Sequence, residues 1–246
     1  MDNKIACLDA DVIIKMSQGN ITLLEEVVGV FNKCFLHQCV YDEVEWPVET
    51  IEILNRLVDE KKILLVTDKI LFDRIEYKEL FVSSLEQACE IFSIDYEQIY
   101  SNIENMIEDR DKLLEELKKA DELVEGNLGE TRTLQMIILF RDLEGEDINY
   151  FVSDDRRARR GIILSYGSTL TGQKIYGLSL ISIFNILKKE VMSIEEALEY
   201  VVQFQFDKSK VYLQNGNMSS MSNIEIIERL YKRELKLLPI GEFQLK

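Results

Sequence analysis

Acidic residues follow apolar segments at separate places along this 246-residue chain, and they are the residues best suited to chemistry. They are Asp9, Asp11, Glu43, Glu130, Asp154 and Asp155. A carboxylate in an apolar setting is costly unless it is paired, hydrogen-bonded or bound to a metal ion. Carboxylates that converge also repel one another, and a hard divalent cation such as Mg²⁺ or Mn²⁺ relieves that repulsion. The pattern therefore indicates metal-assisted phosphoryl transfer, in which the ion activates a water molecule and stabilises the leaving oxygen.

A run of basic residues stands directly beside the last of these acids. It comprises Arg156, Arg157, Arg159 and Arg160. Guanidinium groups match phosphate geometry with paired donors, and Lys15 could also reach a phosphate. An acidic centre beside a basic rim suits a phosphodiester substrate. The alternative is that these arginines only balance acids at the surface.

Strands that alternate with helices must position these side chains. The predicted strands cover 4–9, 34–37, 62–66 and 148–153, with a weaker candidate at 168–171. The predicted helices between them cover 20–31, a segment from 39 that stops near Pro47, and 48–60. This alternation predicts an α/β fold whose central parallel sheet is covered on both faces. Ligands of such sheets collect at the carboxyl ends of the strands, which is where several of the acids would lie.

The segments at 71–125 and beyond 176 have helical patterns. Within 95–125 there are eleven acidic and four basic residues, and the apolar positions follow a four-three rhythm that Arg110 interrupts. That rhythm predicts one long charged helix with a single apolar stripe, which either packs on its own domain or docks a protein partner. The tail is predicted to be helical, with its most loop-like stretch at 215–223 and a last helix at 224–238.

Composition narrows the function classes. The net charge of −16 disfavours loose, non-specific binding to nucleic acid, although a local basic patch can still act. The cysteines form no CxxC pair, and the single histidine, His37, stands beside apolar residues and is predicted to be structural. No apolar run approaches the ~20 residues of a membrane span, and the N-terminus lacks the features of a secretory signal. A cytoplasmic protein is therefore expected.

Four segments, in this order, resemble the motifs of the PIN domain, and within that family the VapC-like toxin ribonucleases. The segments are CLDADVIIKM, CVYDEV, LGETRTLQMI and YFVSDDRRAR. In the first segment the family's motif position corresponds to Asp9, and in the second to Val40, Glu43 and Val44. In the third segment it corresponds to Gly129 and Glu130, and in the fourth to Ser153 and Asp155. The resemblance covers roughly 4–66 and 126–190, whereas the segment at 71–125 and the tail beyond about 205 depart from it.

The resemblance implies a three-layer α/β/α fold and a metal-dependent endonuclease that acts mostly on RNA. It implies a PIN-like domain over 1–205, with 71–125 as an acidic helical insertion, and a helical extension over 206–246. The implied ligands of Mg²⁺ or Mn²⁺ are Asp9, Glu43, Glu130 and Asp155, with Asp154 as a fifth acid or a partner of these ligands. Asp11 and Ser153 would support them through hydrogen bonds. A toxin or defence role would bring an antitoxin or another protein partner to the helical insertion, and the chain could form a homodimer.

Other functions fit parts of the same pattern. A phosphatase resembling the haloacid dehalogenases would use Asp9 as nucleophile and Asp11 as general acid, with Asp154 and Asp155 holding Mg²⁺. That hypothesis leaves the two glutamates without a role and predicts no arginine cluster. A non-catalytic interaction protein on a PIN-like scaffold would use the acidic helices as its binding surface. The acids could also be purely structural, each capping a separate helix.

Overall fold

A five-stranded parallel sheet forms the centre of the protein. The computed structural model describes residues 4–17, 22–144, 148–168, 175–188, 192–204 and 207–246. The strands are β1 (Ile5–Leu8), β2 (Lys33–His37), β3 (Ile63–Val66), β4 (Tyr150–Val152) and β5 (Tyr176–Leu178). They lie in the order β3-β2-β1-β4-β5, and every neighbouring pair is parallel. The predicted α/β class with a central parallel sheet is confirmed.

Helices cover both faces of this sheet, as its apolar strands require. In chain order they are α1 (Ala10–Ser17), α2 (Thr22–Gly29), α3 (Gln38–Asp42), α4 (Val48–Asp59), α5 (Asp68–Arg74), α6 (Glu79–Phe92), α7 (Tyr96–Tyr100), a 3-10 helix (Ser101–Met106), α8 (Arg110–Asp121), α9 (Leu128–Glu144), α10 (Arg156–Ser168), α11 (Leu180–Leu187), α12 (Ile194–Val201) and α13 (Asn223–Tyr231). Alternate residues of β1 point to opposite faces, so Ile5 and Cys7 join one hydrophobic core while Ala6 and Leu8 join the other. None of the described helices is long and apolar enough to cross a membrane.

The segment at 71–125, called here the helical block, consists of helices as predicted, but not of one long helix over 95–125. The interruption at Arg110 is the start of a new helix, because the Asp109 side chain caps α8 by accepting the Lys112 N–H at 3.3 Å. Leu113, Leu117 and Ala120 of α8 are buried in the protein's own core, and the partly buried Leu114 packs against it. The apolar stripe is therefore used within the chain.

The chain beyond 206 contains a second sheet, so the predicted helical extension is wrong. The second sheet comprises β6 (Lys208–Tyr212), β7 (Met218–Ser222), β8 (Leu235–Leu237) and β9 (Phe243–Leu245), in the order β7-β6-β9-β8. Helix α13 fills only the first part of the segment predicted as a helix at 224–238, and β7 occupies most of the stretch expected to be a loop. Few residues of the β6–β7 hairpin are apolar, and only Val211 and Met221 are buried, so the alternation typical of strands is weak.

Other predicted boundaries shift or cannot be compared. Helix α3 is shorter than predicted and ends at Asp42, well before Pro47. Strand β5 lies in the segment beyond 176 that was expected to be helical. The weak strand candidate at 168–171 begins on the last residue of α10, and its other residues lie outside the described part of the chain. The predicted domain boundary at 205–206 lies outside it as well.

Candidate functional site

The strand order creates a reversal point between β1 and β4. The chain forms β1, β2 and β3 in one direction and then crosses to the other side of β1 with β4 and β5. Ligands of open parallel sheets bind outside the carboxyl ends of the strands at such a point. Asp9 follows β1 there, and its N–H donates to the Val152 carbonyl at 2.9 Å. Ser153, Asp154 and Asp155 follow β4 at the same edge.

Asp9 is almost fully enclosed, with 6% of its surface exposed. The Ala10 N–H donates to its Oδ1 at 2.9 Å, and the Ser153 hydroxyl donates to the same carboxyl group. Burial raises the pKa of Asp9 to about 6 against the effect of these hydrogen bonds, and the nearby charges of Glu130 and Asp155 raise it further. Asp9 therefore lies close enough to both of these acids to respond to their charge.

Glu43 and Glu130 reach the same edge from two helices. Glu43 is the C-terminal cap of α3, and Glu130 lies in the first turn of α9. Gly129 allows them to meet, because a Cβ on this residue would lie 2.5 Å from Glu43 Oε1. Since that side chain is missing, the Glu43 carboxylate rests against the start of α9 and accepts a hydrogen bond from the Gly129 backbone N–H.

The charges of these acids act on one another. Burial raises the pKa of Glu43 to about 7, and the charges of Asp9 and Glu130 add to the rise. Burial also raises the pKa of Glu130, where Asp155 adds to the rise and Arg157 opposes it. Electrostatic interactions thus link four of the predicted site residues, which are supplied by the ends of α3, β1 and β4 and by the start of α9. They are Asp9, Glu43, Glu130 and Asp155, called here the acidic centre.

Asp155 is exposed and also serves as the N-terminal cap of α10. Its Oδ1 accepts the Arg157 N–H at 2.5 Å and the Ala158 N–H at 3.3 Å. Its own N–H donates to the Ser153 hydroxyl oxygen at 3.0 Å. Asp155 therefore caps a helix, which is the structural role that the sequence offered as an alternative for these acids. Through one hydroxyl group, Ser153 connects Asp155 with Asp9, as a supporting residue would.

Asp154 and Asp11 form a brace beside the acidic centre. The Asp154 carboxylate accepts the Leu180 N–H at 2.7 Å and the Lys15 ammonium at 2.8 Å. The Asp154 N–H donates to Asp11 Oδ2 at 3.1 Å. Burial, together with the charges of Asp9 and Asp154, raises the pKa of Asp11 to about 7. Asp154 is thus a partner that connects α1, β4 and α11, with both carboxylate oxygens engaged by protein donors.

The arginine run divides into two pairs. Arg157 and Arg160 are exposed on α10. The Nε of Arg156 lies 2.5 Å from Glu242 Oε1, and Arg159 is buried and donates to two backbone carbonyls. The four guanidinium groups therefore do not form one exposed rim. One pair faces solvent, and the other ties α10 to the C-terminal part of the chain.

The donor set of the acidic centre fits a hard divalent cation by its chemistry. Carboxylate oxygens are the ligands that Mg²⁺ and Mn²⁺ prefer, and a bound cation would reverse the rise in pKa that burial causes. Within the described ranges, no group of three or more histidine, cysteine or acidic side chains is gathered so that it could hold an ion. The four carboxylates would therefore have to draw together around the ion.

The structure also contains a buried network of charged residues that the sequence motifs do not predict. Arg132 of α9 is fully buried and donates to both Asp121 oxygens at 2.8 Å. Its Nη1 lies 3.6 Å from Asp68 Oδ1, which lies 3.3 Å from the Nε2 of His37. One feature of the sequence could have indicated the network: Arg132 is the only basic residue between 128 and 140, a segment rich in apolar residues. His37 is fully buried in this network and is structural, as the sequence predicts.

No protein-family model, curated protein or solved structure matches the chain. The functional conclusion therefore depends on the residues and on their arrangement in the fold.

Proposed function

We propose that this protein is a metal-dependent endoribonuclease with a PIN-like nuclease domain, acting on RNA in the cytoplasm. The observation that carries the proposal is the electrostatic coupling of Asp9, Glu43 and Glu130 at the reversal point of a parallel sheet. Together with Asp155, these acids would hold Mg²⁺ or Mn²⁺. Hydrolysis of a phosphodiester bond is the reaction that such a centre supports.

The side chains of the acidic centre have separate tasks in this proposal. A bound cation would supply an activated water and stabilise the leaving oxygen. The Ser153 hydroxyl orients Asp9, and the backbone at the start of α9 orients Glu43, so that both carboxylates are held at the edge of the sheet. Arg157 is exposed and close to Glu130, and it would contact a phosphate of the substrate.

Substitution of Asp9 by asparagine tests the proposal, because it keeps the shape of the side chain and removes its charge. We expect Asp9→Asn and Glu130→Gln to lower Mn²⁺-dependent cleavage of a labelled single-stranded RNA by about two orders of magnitude or more. Asp59→Asn is the control, since it neutralises an exposed acid at the end of α4, and it should cleave as the unmodified protein does. Melting temperatures measured in parallel separate loss of chemistry from loss of folding.

Several outcomes would contradict the nuclease. RNA that stays intact with the unmodified protein, across several sequences and with both metals, would do so directly. Turnover of p-nitrophenyl phosphate that Asp9→Asn abolishes would instead support the phosphatase. A metal that binds only the native state should raise the melting temperature, so the absence of any shift at millimolar Mn²⁺ or Mg²⁺ would exclude the metal site.

A further inference from the structure

A basic pocket of about 400 Å³ lies where α10 meets the second sheet. Its cationic side chains are Lys15, Arg156, Arg159, Lys208 and Lys210. Its acidic side chains are Asp154 and Glu242. This excess of cations stands in a chain whose net charge is −16. Cationic charge collected in a concave site concentrates anionic ligands there.

Both acids of the basic pocket already have a cationic partner. Lys15 donates to Asp154 at 2.8 Å, and the Nε of Arg156 lies 2.5 Å from Glu242 Oε1. Glu242 is 5% exposed, so its charge is turned inward and not toward the open part of the pocket. Arg159 is buried, it donates to backbone carbonyls, and the charges of Asp154 and Glu242 act on its guanidinium group. The acids therefore hold the pocket wall together and do not cancel the remaining cations.

Lys208 and Lys210 supply most of the remaining charge. They are alternate residues of β6, so their side chains lie on the same side of the second sheet, and both are exposed. Neither side chain makes an ion pair or a hydrogen bond with any residue among those the structure describes. Both ammonium groups are therefore available to an anion that enters the pocket.

The basic pocket is bordered by residues that adjoin the acidic centre. Lys15 and Asp154 border the pocket, and in the chain Asp154 stands directly between Ser153, which binds Asp9, and Asp155. A nucleic-acid strand whose scissile phosphate lies at the carboxylates would therefore bring a neighbouring phosphate to the pocket.

We infer that the basic pocket binds a phosphate of the substrate strand next to the bond that is cut, with Lys208 and Lys210 as phosphate-binding residues. This inference rests on the proposed nuclease function and extends it to the second sheet, which lies outside the PIN-like region. Contacts to phosphate fix the position of a strand and its affinity, and they carry no sequence preference. The second sheet is thereby a substrate-binding part of the molecule.

Charge reversal at these lysines tests the inference with a matched control. Lys208→Glu/Lys210→Glu is compared with Lys232→Glu/Lys236→Glu, which changes the net charge equally at exposed lysines outside the pocket. Binding of a fluorescein-labelled single-stranded RNA is followed by anisotropy in EDTA, between about 50 and 200 mM salt. We expect the pocket variant to bind more weakly and to lose about 0.7 from the slope of log Kd against log salt, because each phosphate that the protein neutralises contributes about 0.7 and the pocket would hold one. The control should keep the slope of the unmodified protein.

A single-stranded DNA of the same sequence should lose affinity to the same extent, because phosphate is the group that both strands share. Loss on RNA alone would overturn the phosphate assignment. An unchanged slope in the pocket variant, with RNA still cleaved, would overturn the inference and leave the nuclease standing. RNA that binds through both lysines but is never cleaved would support the pocket and contradict the nuclease. If the glutamates prevent folding, Lys208→Ala/Lys210→Ala carries the same test.

Discussion

Gly129 has no side chain, and this leaves the space that the Glu43 carboxylate occupies. A Cβ at this position would lie 2.5 Å from Glu43 Oε1 and 3.0 Å from Glu43 Cδ, which is closer than packed atoms come. The obstructing atoms are the far end of a flexible side chain, so α9 could keep its backbone while the carboxylate moved away. Gly129 therefore secures the position of a functional group and not the stability of its helix.

We expect Gly129→Ala to separate activity from stability. Alanine favours a helix over glycine by about 0.5–1 kcal/mol, so the melting temperature should stay the same or rise slightly. Metal-dependent RNA cleavage should fall by about 10- to 100-fold, because Glu43 is displaced from Asp9 and Glu130. Gly29→Ala, at the end of α2, is the control: its melting temperature should also stay the same or rise slightly, but cleavage should not change, because nothing lies within 4 Å of the added Cβ. Full cleavage activity in Gly129→Ala would show that RNA cleavage does not require the Glu43 carboxylate at its present position.

Residue types and spacing predict which acids reach the edge of the sheet, but not the task of each. Asp154 and Asp155 are adjacent and almost equivalent as a motif. The turn after β4 directs the Asp154 carboxylate to Lys15 and to the Leu180 N–H, whereas Asp155 caps α10. The partners of Asp154 come from elements distant in the chain, so residue types and spacing do not show them, and only the resemblance to the family motif favours Asp155 as the ligand.

At the scale of elements, the helical block forms one side of the site. A cleft of about 660 Å³ has Glu43 on one wall and α8, through Leu114, on another. The C-terminal end of α8 is held by Asp121, whose carboxylate accepts the donors of Arg132 at 2.8 Å and the Tyr100 hydroxyl at 2.7 Å. Arg132 lies on α9, which also carries Glu130. The buried ion network therefore determines where this wall lies relative to the acidic centre.

Removal of the buried cation should be strongly destabilising. Arg132→Met keeps much of the side-chain volume but leaves Asp68 and Asp121 without their buried cation. Although burial alone would raise it, Arg132 and His37 lower the pKa of Asp68 to about 2, so this acid is ionised in the native protein. We expect a loss of about 3–5 kcal/mol in the free energy of unfolding, measured by urea denaturation.

Arg110→Met is the matched control for this prediction, because Arg110 also pairs with an acid but at the surface. The side chains of Arg110 and Asp73 are 40% and 42% exposed, so stability should change little. A triple variant that removes all three charges should recover part of the lost free energy of unfolding. It combines Arg132→Met, Asp68→Asn and Asp121→Asn. Equal stability of the Arg132 and Arg110 variants would show that the network does not hold the helical block.

Elements of the central sheet are predictable where an apolar run stands between two helices, as β3 does with the sequence ILLV. The second sheet lacks that signal, because β8 and β9 have three residues each. Its central pairing is parallel and joins β6 to β9, which are separated in the chain by β7, α13 and β8. Such a pairing depends on contacts between distant segments, which local periodicity does not report.

For the whole molecule, the acidic centre and the neighbouring Asp11 make stability depend on pH. Folding raises the pKa of Asp9 from 3.8 to about 6, that of Asp11 from 3.8 to about 7, and that of Glu43 from 4.5 to about 7. At pH values between the unfolded and the folded pKa of each group, the native state binds more protons than the unfolded chain. The free energy of unfolding therefore falls as the pH rises. Asp68 acts in the opposite direction at lower pH, because folding lowers its pKa to about 2 and its contribution is lost as pH falls.

We therefore expect the metal-free protein to be most stable near about pH 4, where these carboxyl groups are still protonated in the native state and Asp68 is ionised, and to lose stability as the pH rises to about 8. Asp9 alone contributes about 2 kcal/mol to this loss, which lowers the melting temperature of a chain of this size by roughly 4–8 °C. Scanning calorimetry in EDTA measures the decline directly. Mn²⁺ should abolish or reverse it, because the ion binds the ionised carboxylates and its affinity grows as they lose their protons.

Asp9→Asn provides the control for this pH dependence. Its side chain cannot ionise, so the variant should show a smaller decline in EDTA between about pH 4 and pH 8. It should also gain less from Mn²⁺, because one of the proposed ligands is missing. A variant that matches the unmodified protein in both respects would show that Asp9 does not belong to the centre. A metal-free melting temperature that rises across this range would contradict the coupling of the acids on which the proposed function depends.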